Sequence, residues 1–176
     1  MSGNYNYDSN SDSLYIFFKE EEEEMYDEII RKKENYYKEN NSFSFYEGVL
    51  EFISLLKEKG IKIAIVSAAR KERLFSTVPQ DFLMKFDSLI TGDMIQNGKP
   101  SPEPYLKAIS ELNLKSEECI VIENAPFGIE AAKSAGTYCI AISSTMDKSY
   151  LSGADVIVNN FHELNNVEKI KEIIEK

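Results

Sequence analysis

Short apolar segments alternate with helical segments through most of this chain, and this alternation constrains the fold more than any other feature. Runs of β-branched and other apolar residues with the length of buried strands fall at residues 61–66, 88–90, 119–122, 138–142 and 156–158. Apolar residues at helical spacing lie between and around them, near 49–56, 102–112, 129–135 and 167–174. Strands and helices in this order form a parallel sheet covered by helices. We therefore predict an α/β fold, a doubly wound parallel sheet with helices on both faces.

Length and charge narrow the class of protein further. The 176 residues fit one domain, no apolar run reaches the ~20 residues that cross a bilayer, and the polar start is unlike a signal peptide. Thirty acidic and twenty basic residues give a net charge of −10, which repels nucleic-acid phosphates and anionic lipids. Two cysteines are too few for a disulfide framework. We expect a cytoplasmic protein with no nucleic-acid or membrane partner.

The first 45 residues differ in character from the rest. Residues 1–13 are rich in Ser, Asn and Asp, so we expect a disordered tail there. The apolar run 14–18 has the length of a buried strand. The five glutamates at 20–24 are typical of a helix start, and we expect that helix to reach Tyr37. The regular pattern begins at Tyr46, so we divide the chain into 1–13, 14–45 and 46–176.

Polar side chains follow two of the predicted strands at the point where each strand ends. Ser67 and Ala68 follow strand 61–66, and Glu123 and Asn124 follow strand 119–122. Lys99 lies in a Gly- and Pro-rich loop before a predicted helix. Ligands of open parallel sheets collect at the carboxyl ends of the strands, where a hydroxyl, backbone N–H groups and a lysine could hold phosphate and an acid could hold Mg²⁺. Taken singly, each residue also fits an ordinary cap or surface role.

Three segments together resemble the haloacid dehalogenase-like superfamily, in particular its branch of sugar-phosphate phosphatases and β-phosphoglucomutase-like enzymes. They are VSAA at 66–69, GKPSPEPY at 98–105 and VIENAPFGIEAAKSAG at 121–136. The resemblance covers residues 46–160. It implies a Rossmann-like core and Mg²⁺-dependent phosphoryl transfer through an aspartyl-phosphate, with small phosphorylated metabolites as substrates.

The same resemblance implies a role for each matching residue. Ser67 and Ala68 would bind the phosphate, and Lys99 would steady both the phosphate and the nucleophile, so that Ser67 and Lys99 form the catalytic part that is present. Glu123 would help to hold Mg²⁺, with Asn124 at the position where many members have a second acid.

The family's first motif, a strand that ends in Asp-x-Asp and carries the nucleophile, has no counterpart here, since no two aspartates are two positions apart. Phosphoryl transfer by this route needs one carboxylate to accept the phosphoryl group and one to protonate the leaving oxygen. Two explanations remain open. In the first, residues 14–45 are the remnant of a helical cap and the first strand belongs to a missing upstream segment. In the second, residues 14–18 replace that strand, with Lys19 at the nucleophile's position and Glu21 at that of the acid.

Packing favours the second explanation. The family's strand order places the first strand between those that precede Ser67 and Glu123, and its omission would leave a gap of ~9–10 Å. We therefore predict that residues 14–18 lie between strands 61–66 and 119–122. Under both explanations we expect a truncated or degenerate hydrolase that alone has little or no phosphatase activity. The alternative is a catalytically silent remnant that binds phosphate and Mg²⁺ or acts as an interaction module.

Other reactive side chains have ordinary structural explanations. Asp93 fits an Asx-type turn and could also orient Lys99. Cys119 and Cys139 begin neighbouring predicted strands, where we expect apolar thiols and not a redox pair. His162 follows the last strand, and we expect it at the surface.

Overall fold

A computed structural model describes residues 5–8, 13–16 and 43–175 of the chain. The chain divides into two units, Met1–Phe43 and Ser44–Lys176, and each is described by itself. The helix predicted after the glutamate run, with any part of a cap that it forms, lies outside the described residues.

In the first unit, strand β1 (Tyr5–Asp8) pairs antiparallel with strand β2 (Ser13–Ile16), with Tyr7 opposite Leu14. Strand β1 lies within the segment 1–13 that the sequence predicts as a disordered tail, and β2 overlaps the predicted strand 14–18. The placement of residues 14–18 between strands 61–66 and 119–122 stays a prediction. Only four residues separate β1 and β2, so their pairing has a small loop-closure cost. Phe17 and Phe18 lie outside the described residues.

The second unit alternates strands and helices in the predicted order. Its strands are β3 (Ala64–Val66), β4 (Ser88–Ile90), β5 (Ile120–Glu123), β6 (Tyr138–Ile142) and β7 (Val156–Val158). Its α-helices are α1 (Val49–Glu58), α2 (Lys71–Thr77), α3 (Gln80–Leu83), α4 (Glu103–Leu112), α5 (Pro126–Ser134) and α6 (Glu168–Ile174). Short 3₁₀ helices occupy Gly92–Met94, Ser116–Glu118, Lys148–Leu151 and Phe161–Asn166.

These strands form two parallel sheets. In one, β3 pairs with β4, with Ile65 opposite Leu89. In the other, β6 lies between β5 and β7, with Val121 opposite Cys139. No other described strand of the second unit pairs with the second edge of β3 or of β5. Every residue of β3 and β5 is only half-buried, whereas the last four residues of β6 are buried.

Helices cover both faces of the sheet that contains β6, because successive side chains of a strand point to opposite faces. On one face Ile140 and Ile142 belong to a buried cluster with side chains from α1 and α6, namely Phe52, Leu56 and Ile170. On the other face Cys139 and Ala141 belong to a cluster with Tyr105 of α4 and with Ile129, Ala131 and Ala132 of α5. The predicted doubly wound α/β fold is confirmed.

Strand β3 is shorter than the predicted 61–66, and hydrogen bonding explains the difference. Gly60 ends α1 with a φ of 68° in the left-handed region. The Ile63 N–H then donates to Asp87 Oδ2 at 2.8 Å, so a side chain takes this donor before the ladder with β4 begins. No helix in the described part of the chain is both long and apolar enough to span a bilayer.

Candidate functional site

The turn after β3 presents two hydrogen-bond donors that have no acceptor among the described residues. The Ser67 N–H donates to the Ile90 carbonyl oxygen at 2.9 Å, which continues the ladder with β4. The Ser67 Oγ accepts from the Ala69 N–H at 3.1 Å. Among the contacts of the described residues, neither the Ser67 hydroxyl hydrogen nor the N–H of the exposed Ala68 has an acceptor. Within the described part of the chain, these two donors of the turn are ones that a ligand could use.

Gly92 packs against the backbone of this turn. Its N–H donates to the Ala69 carbonyl oxygen at 2.8 Å. A Cβ at Gly92 would collide with the Ala68 carbonyl oxygen, so a side chain here would displace the turn. The neighbouring Asp93 accepts from the Lys71 N–H at 2.8 Å. Its observed contact is thus with the start of α2, and none of its described hydrogen bonds involves Lys99.

The loop that carries Lys99 is ordered by the first residue of α4. Glu103 accepts from the Gln96 N–H at 2.6 Å and from the Asn97 N–H at 2.8 Å. These bonds hold the pKa of Glu103 below its usual value. The Lys99–Pro100 peptide bond is cis. Sequence reasoning missed Glu103, although a carboxylate a few residues after exposed backbone N–H groups is a recognisable signal for such a role.

Lys99 joins the carboxyl ends of β3 and β5. Its Nζ lies 3.4 Å from the Val66 carbonyl oxygen, which belongs to the same peptide group as the Ser67 N–H. The same Nζ forms an ion pair with Glu123 Oε1. It also lies 4.8 Å from the centre of the Tyr105 ring, within range of a cation–π interaction. These contacts hold the ammonium in place, and the side chain as a whole is 18% exposed.

Glu123 is the last residue of β5, and its carboxylate accepts from several donors. Oε1 takes Lys99 Nζ and the Tyr105 hydroxyl. Oε2 accepts from the N–H groups of Asn124 at 3.0 Å and Ala125 at 3.4 Å, just before α5. The positive end of a helix stabilises a carboxylate at this position. With its side chain 9% exposed, Glu123 is a largely buried counter-charge to Lys99.

Tyr105 and Gly128 complete the surroundings of Glu123, and sequence reasoning assigned neither to the site. Burial and the negative charge of Glu123 raise the pKa of Tyr105 far above its usual value, so its hydroxyl stays a donor. Gly128 lies in the first turn of α5, where a Cβ would overlap the Glu123 carboxylate. For Gly128, the only signal in the sequence is a small residue in the first turn of a helix that closely follows an acidic residue.

Asn124 lies beside Glu123 but turns toward a different partner. Its Nδ2 is 3.4 Å from Thr145 Oγ1, which leaves its side-chain oxygen without a described partner. Mg²⁺ prefers oxygen ligands, and the Asn124 side-chain oxygen is one, whereas Glu123 would have to give up one of its hydrogen bonds to bind the ion. The described residues contain no group of three or more His, Cys, Asp or Glu able to hold a metal ion. These two residues therefore fit Mg²⁺ only in the common type of site where water and bound phosphate fill the remaining coordination positions.

Lys99 thus links the carboxyl end of β3, beside Ser67, to Glu123 at the end of β5. A sequence model of the haloacid dehalogenase-like hydrolases matches residues 5–142. The chain belongs to this family. This match confirms the resemblance of the three motifs to the haloacid dehalogenase-like (HAD) superfamily and its sugar-phosphate phosphatase branch. Phosphatases of the HAD family generally use Mg²⁺.

Named relatives of this HAD-family chain act on phosphorylated small molecules. It is 34% identical over 119 residues to validoxylamine A 7'-phosphate phosphatase of Streptomyces hygroscopicus subsp. limoneus, covering 67% of this chain and 56% of that protein. It is 36% identical over 131 residues to the phosphorylated carbohydrates phosphatase of Thermotoga maritima, covering 72% and 60%. The chain thus spans less than two thirds of the length of these curated relatives.

A solved structure agrees with the fold assignment. The crystal structure of beta-phosphoglucomutase from Clostridium difficile has a TM-score of 0.69 and 27% identity, and the match covers 90% of this chain and 69% of that one. The α/β core of this HAD-family chain and that enzyme therefore share one architecture.

Proposed function

We propose that this chain carries the phosphate-binding half of a HAD-type phosphoryl-transfer site for small phosphorylated metabolites, with sugar phosphates as the substrate class. The observation that supports this most strongly is the position of Lys99, whose ammonium lies between the carboxyl ends of β3 and β5. The relatives' names support the substrate class, because they include a phosphatase of phosphorylated carbohydrates.

Phosphate recognition follows from three donors. The Ser67 hydroxyl and the Ala68 N–H are open to an acceptor, and Lys99 adds a compact positive charge near the peptide group that links Val66 to Ser67. Charged hydrogen bonds of this kind are stronger than neutral ones. The site also has to overcome the chain's net charge of −10, which repels anions at long range. The lysine supplies the local positive charge that this requires.

The ion pair with Glu123 holds the Lys99 ammonium in place before phosphate binds. A lysine side chain has many rotamers, and ordering it on binding costs conformational entropy. Because the ion pair already orders Lys99, phosphate binding does not incur this cost. Glu123 and Asn124 would hold Mg²⁺, which when bound supplies positive charge to the phosphoryl oxygens. The ion pair also means that Lys99 shares its charge between Glu123 and any phosphate.

The nucleophile is the part that this chain does not supply, since its sequence has no Asp-x-Asp pair. We therefore propose that the chain alone binds phosphate and does not hydrolyse sugar phosphates at enzymatic rates. None of the residues at the site described here is a carboxylate free to accept a phosphoryl group, because Glu123 is already engaged by Lys99 and Tyr105.

Calorimetric titration of the chain with inorganic phosphate tests the binding proposal. We expect saturable binding, and Lys99→Met should weaken it by about tenfold or more, the value of a lost charged hydrogen bond. Lys59→Met is the matched control, because Lys59 is exposed, makes no described side-chain contact and causes the same change in net charge. Equal affinity in the wild type and Lys99→Met would refute the role of Lys99.

Turnover is measured separately, with glucose 6-phosphate and β-glucose 1-phosphate in the presence of Mg²⁺. We expect no product above the uncatalysed background. Ordinary enzymatic rates would show that some residue of this chain replaces the aspartate nucleophile, and would refute the proposal of binding without turnover.

A further inference from the structure

We infer that Tyr105 is a positioning residue of this site, whose hydroxyl and ring together set the place of the Lys99 ammonium against Glu123. This inference rests on the proposed phosphate-binding function and adds a residue to it. Tyr105 does not itself need to touch the phosphate, because it acts through Glu123 and Lys99.

The contacts form a closed triangle. The Tyr105 hydroxyl donates to Glu123 Oε1, the same oxygen that Lys99 contacts. The Tyr105 ring lies 4.8 Å from Lys99 Nζ. One side chain therefore touches both members of the ion pair, with its polar end on the acid and its apolar face on the base.

Burial shows why the hydroxyl matters. Tyr105 is 5% exposed and belongs to the apolar cluster around β6 and α5. A phenylalanine would fill nearly the same space, so packing alone does not need the hydroxyl. A buried hydroxyl costs free energy unless it finds a partner, and the partner described for this one is Glu123.

The backbone fixes Tyr105 firmly. It is the third residue of α4, and its N–H donates to the Pro102 carbonyl oxygen at 3.1 Å. The same helix begins with Glu103, which orders the loop before Lys99. One short segment therefore positions Lys99 twice, through the loop backbone and through the ring and hydroxyl of Tyr105.

The expected effect of removing the Tyr105 hydroxyl follows from the two donors, Tyr105 and Lys99, that share Glu123 Oε1. When the tyrosine hydroxyl also donates to this oxygen, less of its negative charge acts on Lys99, and the ammonium can be shared with phosphate. Without the hydroxyl, Lys99 alone satisfies Oε1 and is drawn more strongly to the carboxylate. Loss of the hydroxyl should therefore weaken phosphate binding, and should also move the ammonium relative to the ring.

The experiment compares Tyr105→Phe with Tyr138→Phe in the full chain. Tyr138 begins β6, is half-buried, and its hydroxyl makes no described hydrogen bond. Three quantities are measured for each variant: the Kd of inorganic phosphate, the midpoint of urea unfolding, and the NMR resonances of the Lys99 ammonium and ε-methylene. For Tyr105→Phe we expect a Kd raised about threefold or more, a fraction of a full charged hydrogen bond, together with displaced Lys99 resonances.

A purely structural role would give a different result. The unfolding midpoint of Tyr105→Phe would fall, while the phosphate Kd stayed within twofold of the wild type and the Lys99 resonances did not move; that result would overturn the inference. Failure of the proposed function is distinguishable, because the wild type would then bind no phosphate. In that case the Lys99 resonances of Tyr105→Phe alone test the inference. Resonances unchanged from those of the wild type would overturn it.

Discussion

Gly128 leaves the space that the carboxylate of Glu123 occupies. A Cβ at this position would overlap the carboxylate carbon and both of its oxygens. Glu123 can turn back toward the start of α5, and accept from the N–H groups of Asn124 and Ala125, only because this turn of the helix has no side chain on that side. The glycine therefore determines where the counter-charge of Lys99 lies.

Gly128→Ala should destabilise the protein, against the usual trend for helices. Alanine in a helix is normally favoured over glycine by about 1 kcal/mol. Here the new methyl group must displace a largely buried, ion-paired carboxylate, and overpacking of this kind costs about 1–3 kcal/mol. Urea unfolding measures the change in the free energy of unfolding. Gly98→Ala is the control, because a Cβ there meets no atom within 4 Å. A Gly128→Ala protein as stable as the wild type would contradict the account.

The positions of the strands, and the strand ends at which the candidate residues Ser67 and Glu123 lie, could be predicted from the sequence. Runs of β-branched residues are local signals, and ligands of parallel-sheet folds collect at the carboxyl ends of the strands, so the pattern places Ser67 and Glu123 each at such a strand end. These inferences need no knowledge of how side chains are rotated. The structure then shows that Lys99, from the loop before α4, contacts the Val66 carbonyl oxygen and Glu123.

The contributions of Tyr105 and Gly128 could not be predicted in this way. Both depend on how two helices are rotated against β5, a non-local property that helical spacing does not encode. The pairing of β2 shows the same limit. Residues 14–18 have the length and composition of a strand, but an apolar run does not specify its partner, and β2 paired with its neighbour β1.

Asp155 should make stability depend on pH in the acidic range. Its carboxylate accepts from the Cys139 N–H at 2.7 Å and pairs with Lys133 Nζ. Burial raises the pKa of Asp155, but these two interactions outweigh that effect and lower it below its usual value. The stabilisation is therefore present above the unfolded-state pKa of about 3.9 and is lost as pH falls through the lower folded-state pKa.

Asp155→Asn should accordingly be less stable than the wild type by about 1–2 kcal/mol at pH 7, and the difference should shrink toward zero below about pH 3. Urea unfolding at a series of pH values measures it. Asp81→Asn, at an exposed position of α3, controls for the change in net charge. A difference between Asp155→Asn and the wild type that is the same at pH 7 and pH 3 would exclude this mechanism.

Cys139 should resist alkylation in the folded protein. Burial, followed by the charges of Glu123 and Asp155, raises the pKa of its thiol to about 12, and the thiolate is the reactive form. Cys119 is half-buried, and its thiol pKa is also raised, chiefly by burial. At pH 8 we expect iodoacetamide to label Cys119 slowly and Cys139 only after unfolding in urea, as peptide mass spectrometry would show. Equal rates for Cys139 with and without urea would be incompatible with its position in β6.

Phosphate titration followed by ¹H–¹⁵N NMR tests the central claim most directly, because it locates the bound anion. We predict that the largest saturable changes fall on the Ala68 amide and its neighbours Ser67 and Ala69, with the Lys99 ammonium moving at the same phosphate concentrations. Changes confined to other parts of the chain, with the Ala68 and Lys99 signals unmoved at saturation, would contradict the assignment of this edge of the sheet as the phosphate site.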